Sequence, residues 1–289
     1  MPVSTRVIRR RIKSVTNTRK ITSAMELVAA AKMRKATAAA LSSRPYAGGA
    51  WDAVRAVTRA AAPDVHPLLR RHAGSPAPAL VVLFTSDRGL CGGYNARALK
   101  AFFDRNAQLA VADVVTIGRR GEQALIRAGL APVASFHDLG DRPSPTSVRP
   151  LARFAINGFV SEKYSRVLVV STHYKSALTQ LPYVTELLPL HEENSAEEKH
   201  GASPEYLFEP SPREVLDLVL PRIVESQLYQ ALLEATASEH AARMLAMRSA
   251  SDAAADMIDD LSLTYNQSRQ AGITREIAEI SSGAAALSA

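Results

Sequence analysis

Between Ala79 and Leu190 short apolar runs alternate with stretches of helical period, and outside that region apolar residues recur at spacings of three and four. Short apolar runs bounded by Gly, Pro or polar residues read as buried strands. Four qualify: 79–86, 111–117, 132–137 and 166–171. Between them, 94–105, 119–129 and a stretch ending near residue 160 have the period of helices, and a further apolar segment, 178–190, follows the last strand. Strands alternating with helices predict a mostly parallel sheet with right-handed crossovers.

The two ends of the chain read differently. Of sixteen prolines, all but Pro2 fall between Pro45 and Pro221, which leaves residues 3–44 and 222–289 proline-free and rich in good helix formers. Helices of that length need something to lie along, and two arms at opposite ends of a chain suit an antiparallel coiled coil. In the first arm Ile8, Ile12 and Val15 share one face, while Ile21, Met25 and Val28 share another. At about 100° per residue the second set lies roughly opposite the first, so the pattern predicts a helix buried on different faces at different heights, or one that is surrounded. The second arm opens on Ser211-Pro-Arg-Glu214, with serine at the N-cap, proline at N1 and glutamate at N3, a capping box. Leu216, Leu220, Ile223 and Leu228 continue a stripe, and Pro221 inside it predicts a kink or a restart. Beyond them Met244, Met247, Met257, Ile258, Leu261, Ile273, Ile277 and Ile280 recur at mixed spacings, separated by small residues. The expected fold class is therefore α/β: a central Rossmann-like domain (63–210, with a polar loop at 191–205) between an N-terminal helical arm (1–62) and a C-terminal one (211–289).

Charge sharpens this picture. The net charge is +7, but residues 1–44 hold eleven Lys/Arg against one acid, while 211–289 hold six against eleven Asp/Glu. The basic excess of the first arm is thus expected to face, in part, the acidic second arm. A single cysteine excludes an internal disulfide and fits a reducing compartment. No run approaches the length of a membrane span.

Candidate chemistry is sparse. TSDRGLCGGYN, 85–95, follows the first strand as a phosphate-binding loop would, and it holds the lone Cys91. A Walker loop needs Lys followed by Ser or Thr after its last glycine, whereas Tyr94-Asn95 follow Gly93 here. The dinucleotide spacing fails as well. A thiol nucleophile needs a base, and His173, at the end of a neighbouring strand, is the histidine with a route to Cys91. The simpler reading makes Gly89, Cys91, Gly92 and Gly93 a structural strand-to-helix turn. His191, Glu192, Glu193 and His200 lie in an acidic polar loop and read as solvated charge rather than metal ligands. No catalytic, cofactor-binding or metal-binding residue is expected. The cluster RRRIK, 9–13, lacks the interleaved aromatics of a single-strand nucleic-acid binder.

Four segments carry a family resemblance: RRRIKSVTNTRKITSAMELVAAAKMRKA (9–36), TSDRGLCGGYN (85–95), ESQLYQALLEATASEHAARMLAMRSASDAA (225–254) and LTYNQSRQAGITREIAEISSGAAAL (263–287). In order and content they resemble the gamma subunit of F-type ATP synthases along essentially the whole chain. The resemblance implies a non-catalytic central rotor stalk. Its terminal helices form an axle inside the ring of alpha and beta subunits, and its α/β domain lies near the epsilon subunit and the membrane-embedded ring of c subunits. It implies coupling of proton flow to ATP synthesis or hydrolysis, with no cofactor and no nucleic-acid partner, on the inner face of a bacterial membrane.

The resemblance also implies contacts. Met25, in ITSAMELV, matches a methionine facing a moving part of a beta subunit. Arg269 and Gln270, in SRQAGIT, match a pair gripping a loop of a catalytic subunit. Arg243, Thr274 and Glu276 match positions tied to rotor coupling. Lys32, Arg34 and Lys35 are expected, from charge, to meet an acidic beta segment. Pro221 departs from the family pattern, and the loop 191–205 matches nothing specific.

Overall fold

The computed structural model describes residues 5–60, 66–70, 77–107, 112–140, 143–190 and 211–288, and the side chains within them except at 44–60, 212 and 285–288. The polar loop 191–205, with His191 and His200, lies outside the described residues. In chain order the elements are α1 (Thr5–Ala60), β1 (Ala79–Phe84), α2 (Tyr94–Asn106), β2 (Ala112–Ile117), α3 (Arg119–Arg127), β3 (Ala134–Phe136), α4 (Arg149–Val160), β4 (Arg166–Tyr174), β5 (Gln180–Leu188) and α5 (Pro212–Ser288). The chain divides into two compact units, one of residues 1–29 with 243–289 and one of residues 30–242. Both long helices run through the prolines that bound the proline-free stretches 3–44 and 222–289. α1 continues through Pro45 to Ala60, and α5 carries Pro221 without a break in the helix, so the restart expected there does not occur. A proline removes one backbone donor, and flanking packing on Leu220, Ile223 and Val224, all buried, offsets that loss.

The first unit is an antiparallel pair of helices. Thr22 bonds Ser251 across the pair, and Arg9 lies over the Tyr265 ring with 5.8 Å to its centroid. Thirteen residues down α1, from Thr22 to Arg9, thus correspond to fourteen up α5, from Ser251 to Tyr265. The covered or half-covered positions of α1 include Ile8, Ile12, Val15, Thr22, Glu26 and Ala29, and those of α5 include Met244, Met247, Ser251, Ala254, Ile258, Leu261, Tyr265, Ser268 and Gly272. Steps of three and four alternate along the α5 set, and the α1 set shows the same steps on either side of a seven-residue step from Val15 to Thr22, as in the heptad seam of a coiled coil. Of the second set expected to be buried, Met25 is half-covered, while Ile21 and Val28 are not covered by this chain. Ile21 and Val28 are 61% and 57% exposed, whereas Ile8 is 3% exposed. The seam stays on one face because it is completed by Thr22 and Ala29, which do not stand out as apolar in the sequence. Of the α5 positions picked out by hydropathy, Met244, Met247, Ile258 and Leu261 belong to the seam, while Met257, Ile273, Ile277 and Ile280 face outward.

The second unit is built on a five-stranded sheet of order β3-β2-β1-β4-β5. β1 runs parallel to β2 and β4, and β2 parallel to β3. The segment 178–190 supplies β5, which returns antiparallel to β4 as a hairpin. Successive residues of a strand face opposite sides of the sheet, and both sides are covered. Val81, Leu83, Val114, Leu168 and Val170 pack with Phe102 of α2 and Leu125 of α3. On the other side Leu80, Val82, Phe84, Val115 and Val169 pack with Leu151, Ala155 and Phe159 of α4 and with Leu216, Leu220, Ile223, Leu228 and Leu232 of α5. Near-continuous apolar strands are what a sheet buried on both faces requires. α5 begins as expected: the Glu214 backbone N–H donates to the Ser211 hydroxyl oxygen, and that hydroxyl donates to the Glu214 carboxylate.

His66 ties a short 3-10 turn (Pro67–Leu69) to α5. Its Nδ1 accepts from the Leu68 N–H at 3.1 Å, which leaves the proton on Nε2, 3.1 Å from the Asp217 carboxylate. Burial pushes its pKa below the usual value and Arg213 adds to the fall, while Asp217 opposes it. With the folded value depressed, the unfolded chain binds more protons in the window below the ordinary imidazole pKa of about 6.5. The neutral ring therefore contributes stability above that value, and the contribution is lost as pH falls from there through the lower folded value. Denaturant midpoints taken from pH 7.5 to 5.5, values chosen as roughly one pKa unit either side, should fall more steeply for the natural chain than for His66→Gln.

Candidate functional site

In doubly wound sheets ligands bind beyond the carboxyl ends of the strands, at the point where strand order reverses. Here that point lies between β1 and β4, and the turn 85–93 stands over it. The turn is knitted to its surroundings. The Thr85 hydroxyl donates to the carbonyls of Ile117 and Gly118 and accepts from the Gly121 N–H. The Ser86 N–H donates to Asn95 Oδ1, and Asn95 Nδ2 donates to Ser86 Oγ and to Cys91 Sγ. Asp87 accepts from the N–H groups of Arg119 and Asp138, and the Arg119 guanidinium pairs with the Asp138 carboxylate at 3.0 Å. Beside it Glu122 is held below the usual carboxylate range, first by the Ser135 hydroxyl and further by His137 and Arg119.

The crevice itself is occupied by the chain's own helix. α5 runs past the end of β4, where the Ser171 hydroxyl donates to the Ala231 carbonyl and the Ser238 hydroxyl donates to the Thr172 carbonyl. It then reaches the turn, where Ala242 packs with Cys91 and Tyr94. Cys91 is buried, and His173 does not approach it as a base: the imidazole Nδ1 bonds the buried Glu234 carboxylate of α5. The arrangement supports a structural turn. The glycine assignments within it need correction. Gly92 takes a positive φ of 54°, but so does Leu90 at 62°, and Gly93 sits at −83°, open to any residue. A Cβ on Gly89 would meet only the movable end of Arg120. The glycine the geometry requires is Gly118, after β2, which sequence reasoning passed over. Its φ is 91°, and a Cβ there would lie 2.3 Å from the Thr85 carbonyl oxygen. No local pattern around a lone glycine after a strand marks such an approach, because the clash is with a residue far back in the chain.

The remaining candidates lie on the helices. In the first unit Met25 is half-buried, Arg269, Gln270, Thr274 and Glu276 are exposed, and Arg243 is buried. In the second unit Lys32, Arg34 and Lys35 are exposed. An outward apolar face accompanies them in the first unit: Ile21, Leu27 and Val28 on α1, and Met257, Leu263, Ile273, Ile277 and Ile280 on α5, are all at least 49% exposed. From 273 to 284 every α5 residue is exposed. Arg6, Arg10, Arg11, Lys13, Arg19 and Lys20 of α1 are exposed too. Among the described residues no ion pair joins these six to an acid of α5. Among the described residues no cluster of three metal-ligating side chains occurs, and no helix is long and apolar enough to cross a membrane.

The ATP synthase family profile matches residues 4–287. The ATP synthase gamma chain of Herpetosiphon aurantiacus is 43% identical over 296 residues, covering 98% of this chain and 99% of that one. That of Roseiflexus castenholzii is 44% identical over 289 residues, covering 98% of each. Among solved structures, a chain of the Euglena gracilis mitochondrial ATP synthase in rotational state 3 superposes with a TM-score of 0.67 at 16% identity, over 98% of this chain and 94% of that one. A chain from the central stalk and c ring of the Tetrahymena thermophila mitochondrial ATP synthase gives 0.61 at 23% identity, over 80% of this chain and 99% of that one. The structural likeness carries the fold, long terminal helices around an α/β domain, and the identity along nearly the full length carries the kinship: the chain belongs to the ATP synthase gamma chain family.

Proposed function

We propose that the chain is the central rotor stalk of an F-type ATP synthase and contributes no active site of its own. The observation that carries this reading is the coiled coil of the first unit, whose seam satisfies the pair while exposed apolar residues and all of 273–284 of α5 stay uncovered. Exposed apolar surface of that extent marks a protein partner. A two-helix rod is also asymmetric about its axis, as a shaft that drives equivalent sites through different states must be. In this reading residues 1–62 and 211–289 form the axle within the alpha and beta subunits, and 63–210 form the base beside the epsilon subunit and the c ring, on the inner face of a bacterial membrane. Met25, Arg269, Gln270, Thr274 and Glu276 would serve contacts with the ring, and Lys32, Arg34 and Lys35 would meet an acidic segment of a beta subunit. Charge at such a surface contributes orientation and encounter more than affinity. Arg243, being buried, would act by holding α5 in place.

Reconstitution tests the reading. The full chain should co-purify with alpha and beta subunits and support proton-driven ATP synthesis in membranes. A chain ending at Asp260 should lose most of that coupling, and a Cys91→Ser chain should retain it. Undiminished synthesis by the shortened chain overturns the proposal, as does loss of assembly on changing Cys91 alone. The unneutralised basic face of α1 supports one rival, a nucleic-acid binder. For that rival, DNA affinity of the isolated chain would have to fall steeply with salt and survive assembly with the ring.

A further inference from the structure

The seam of the first unit is not uniformly apolar. Midway along it the Thr22 hydroxyl donates to the Arg19 carbonyl at 3.0 Å, so the 2.7 Å contact with Ser251 has the serine as donor and the threonine oxygen as acceptor. Both side chains are buried, at 9% and 8% exposure. We propose that this hydroxyl pair is the register pin of the coiled coil: it decides which residue of α1 stands level with which residue of α5.

The physical case is one of degeneracy. Ala29, Met244 and Met247 line the seam on the side of the pair nearer the second unit's residues in sequence, and Ile8, Ile12, Val15, Ala254, Ile258 and Leu261 line the other. Small and flexible apolar residues at repeated heptad positions fit several alignments almost equally well, because dispersion and burial have no direction. A buried polar pair does have direction. Sliding one helix by a heptad, about 10 Å at 1.5 Å per residue, would place Thr22 level with Ile258 or Met244. It would leave Ser251 without its acceptor, and an unsatisfied buried hydroxyl is costly. A single polar position in an apolar seam is an established way of fixing alignment. The second unit repeats the device independently, for the Ser43 hydroxyl donates to Gln230 of α5. Along each helix the two pairs are separated by 21 residues, three whole heptads, so both occupy the same position of the repeat. The pin bears on the surface as well as the seam, since a slip would shift every outward residue of α1 by a heptad against those of α5. The proposal concerns alignment alone and stands apart from the rotor reading.

Disulfide mapping in the full chain tests it, in a Cys91→Ser background. One pair of cysteines replaces Ile12 and Leu261, which this register sets level; two others join position 12 to positions 254 and 268, one heptad off either way. With Thr22 and Ser251 intact, oxidation should close the 12–261 pair and leave the other two open. Thr22→Val with Ser251→Ala keeps the shapes and removes the hydroxyls, and it should raise the yield of a displaced disulfide roughly two- to tenfold, the factor that corresponds to one neutral hydrogen bond. The exchange Thr22→Ser with Ser251→Thr keeps a hydroxyl pair and should behave as the parent. If the hydroxyl-free chain closes only 12–261, at the parent's rate, the register is held elsewhere and the proposal falls. It falls equally if the exchanged pair slips as far as the hydroxyl-free one, since packing rather than hydrogen bonding would then be responsible.

Discussion

Gly118→Val is expected to cost the second unit at least about 3 kcal/mol, the sum of a forced left-handed backbone and a steric collision. The residue sits at φ 91°, a region a β-branched side chain avoids, and its Cβ would fall 2.3 Å from the Thr85 carbonyl oxygen and 2.7 Å from the carbonyl carbon. Neither neighbour can yield cheaply. The Gly118 N–H donates to the Phe136 carbonyl at 2.9 Å, and its own carbonyl accepts from the Thr85 hydroxyl. Thr85 is in turn bonded through its N–H to the Ile117 carbonyl. Relieving the clash therefore separates the ends of β1 and β2 and loosens the turn 85–93. Urea unfolding of the full chain, followed at a probe in the second unit, should show a lower midpoint and a reduced yield of folded protein. A midpoint within the scatter of the parent would mean that the turn does not have this geometry.

Leu228→Ala is expected to destabilise the same unit by roughly 2–5 kcal/mol, through lost burial and the cavity left behind. Leu228 is fully buried between α5 and the sheet, among residues of β1, β4 and α4. Alanine is the better helix former, so any loss reports packing rather than helix propensity. Leu263→Ala supplies the control: the same residue type on the same helix, but 61% exposed. It should change stability by no more than about 0.5 kcal/mol and should show its effect, if the rotor reading holds, only in the assembled enzyme. Equal losses at the two positions would contradict the burial on which both the fold and the contact surface rest.

How far these features could be read in advance depended on the range of the interactions behind them. The strands and helices of the second unit were legible to within a few residues, because each rests on its own short run of apolar residues. The cap at Ser211–Glu214 was legible for the same reason: its partners lie three residues apart. The unbroken passage of α5 through Pro221 was not, since a proline's local penalty gave no measure of what the rest of the helix gains from packing. The α1 side of the seam was not legible because it runs through Thr22 and Ala29, while the more hydrophobic Ile21 and Val28 point away from it. Hydropathy finds surface that wants covering and does not say whether the same chain or another covers it.

The candidate site divides along the same line. TSDRGLCGGYN could be read as lacking the lysine and hydroxyl of a Walker loop, because those are matters of residue identity. Its closure by α5, through Ala242 against Cys91 and Tyr94, joins positions about 150 residues apart in the chain, and no local pattern encodes that. By itself the sequence determined the element types and the two helical arms, which follow from local composition and spacing, and the family, through the resemblance of four segments. Only the tertiary structure decided that β5 returns antiparallel, that Gly118 rather than Gly93 is the indispensable glycine, that one seam serves both helices, and that Thr22 meets Ser251. Each of those is a contact between distant segments, and its energy comes from shape and hydrogen-bond direction, which exist only once the chain has folded.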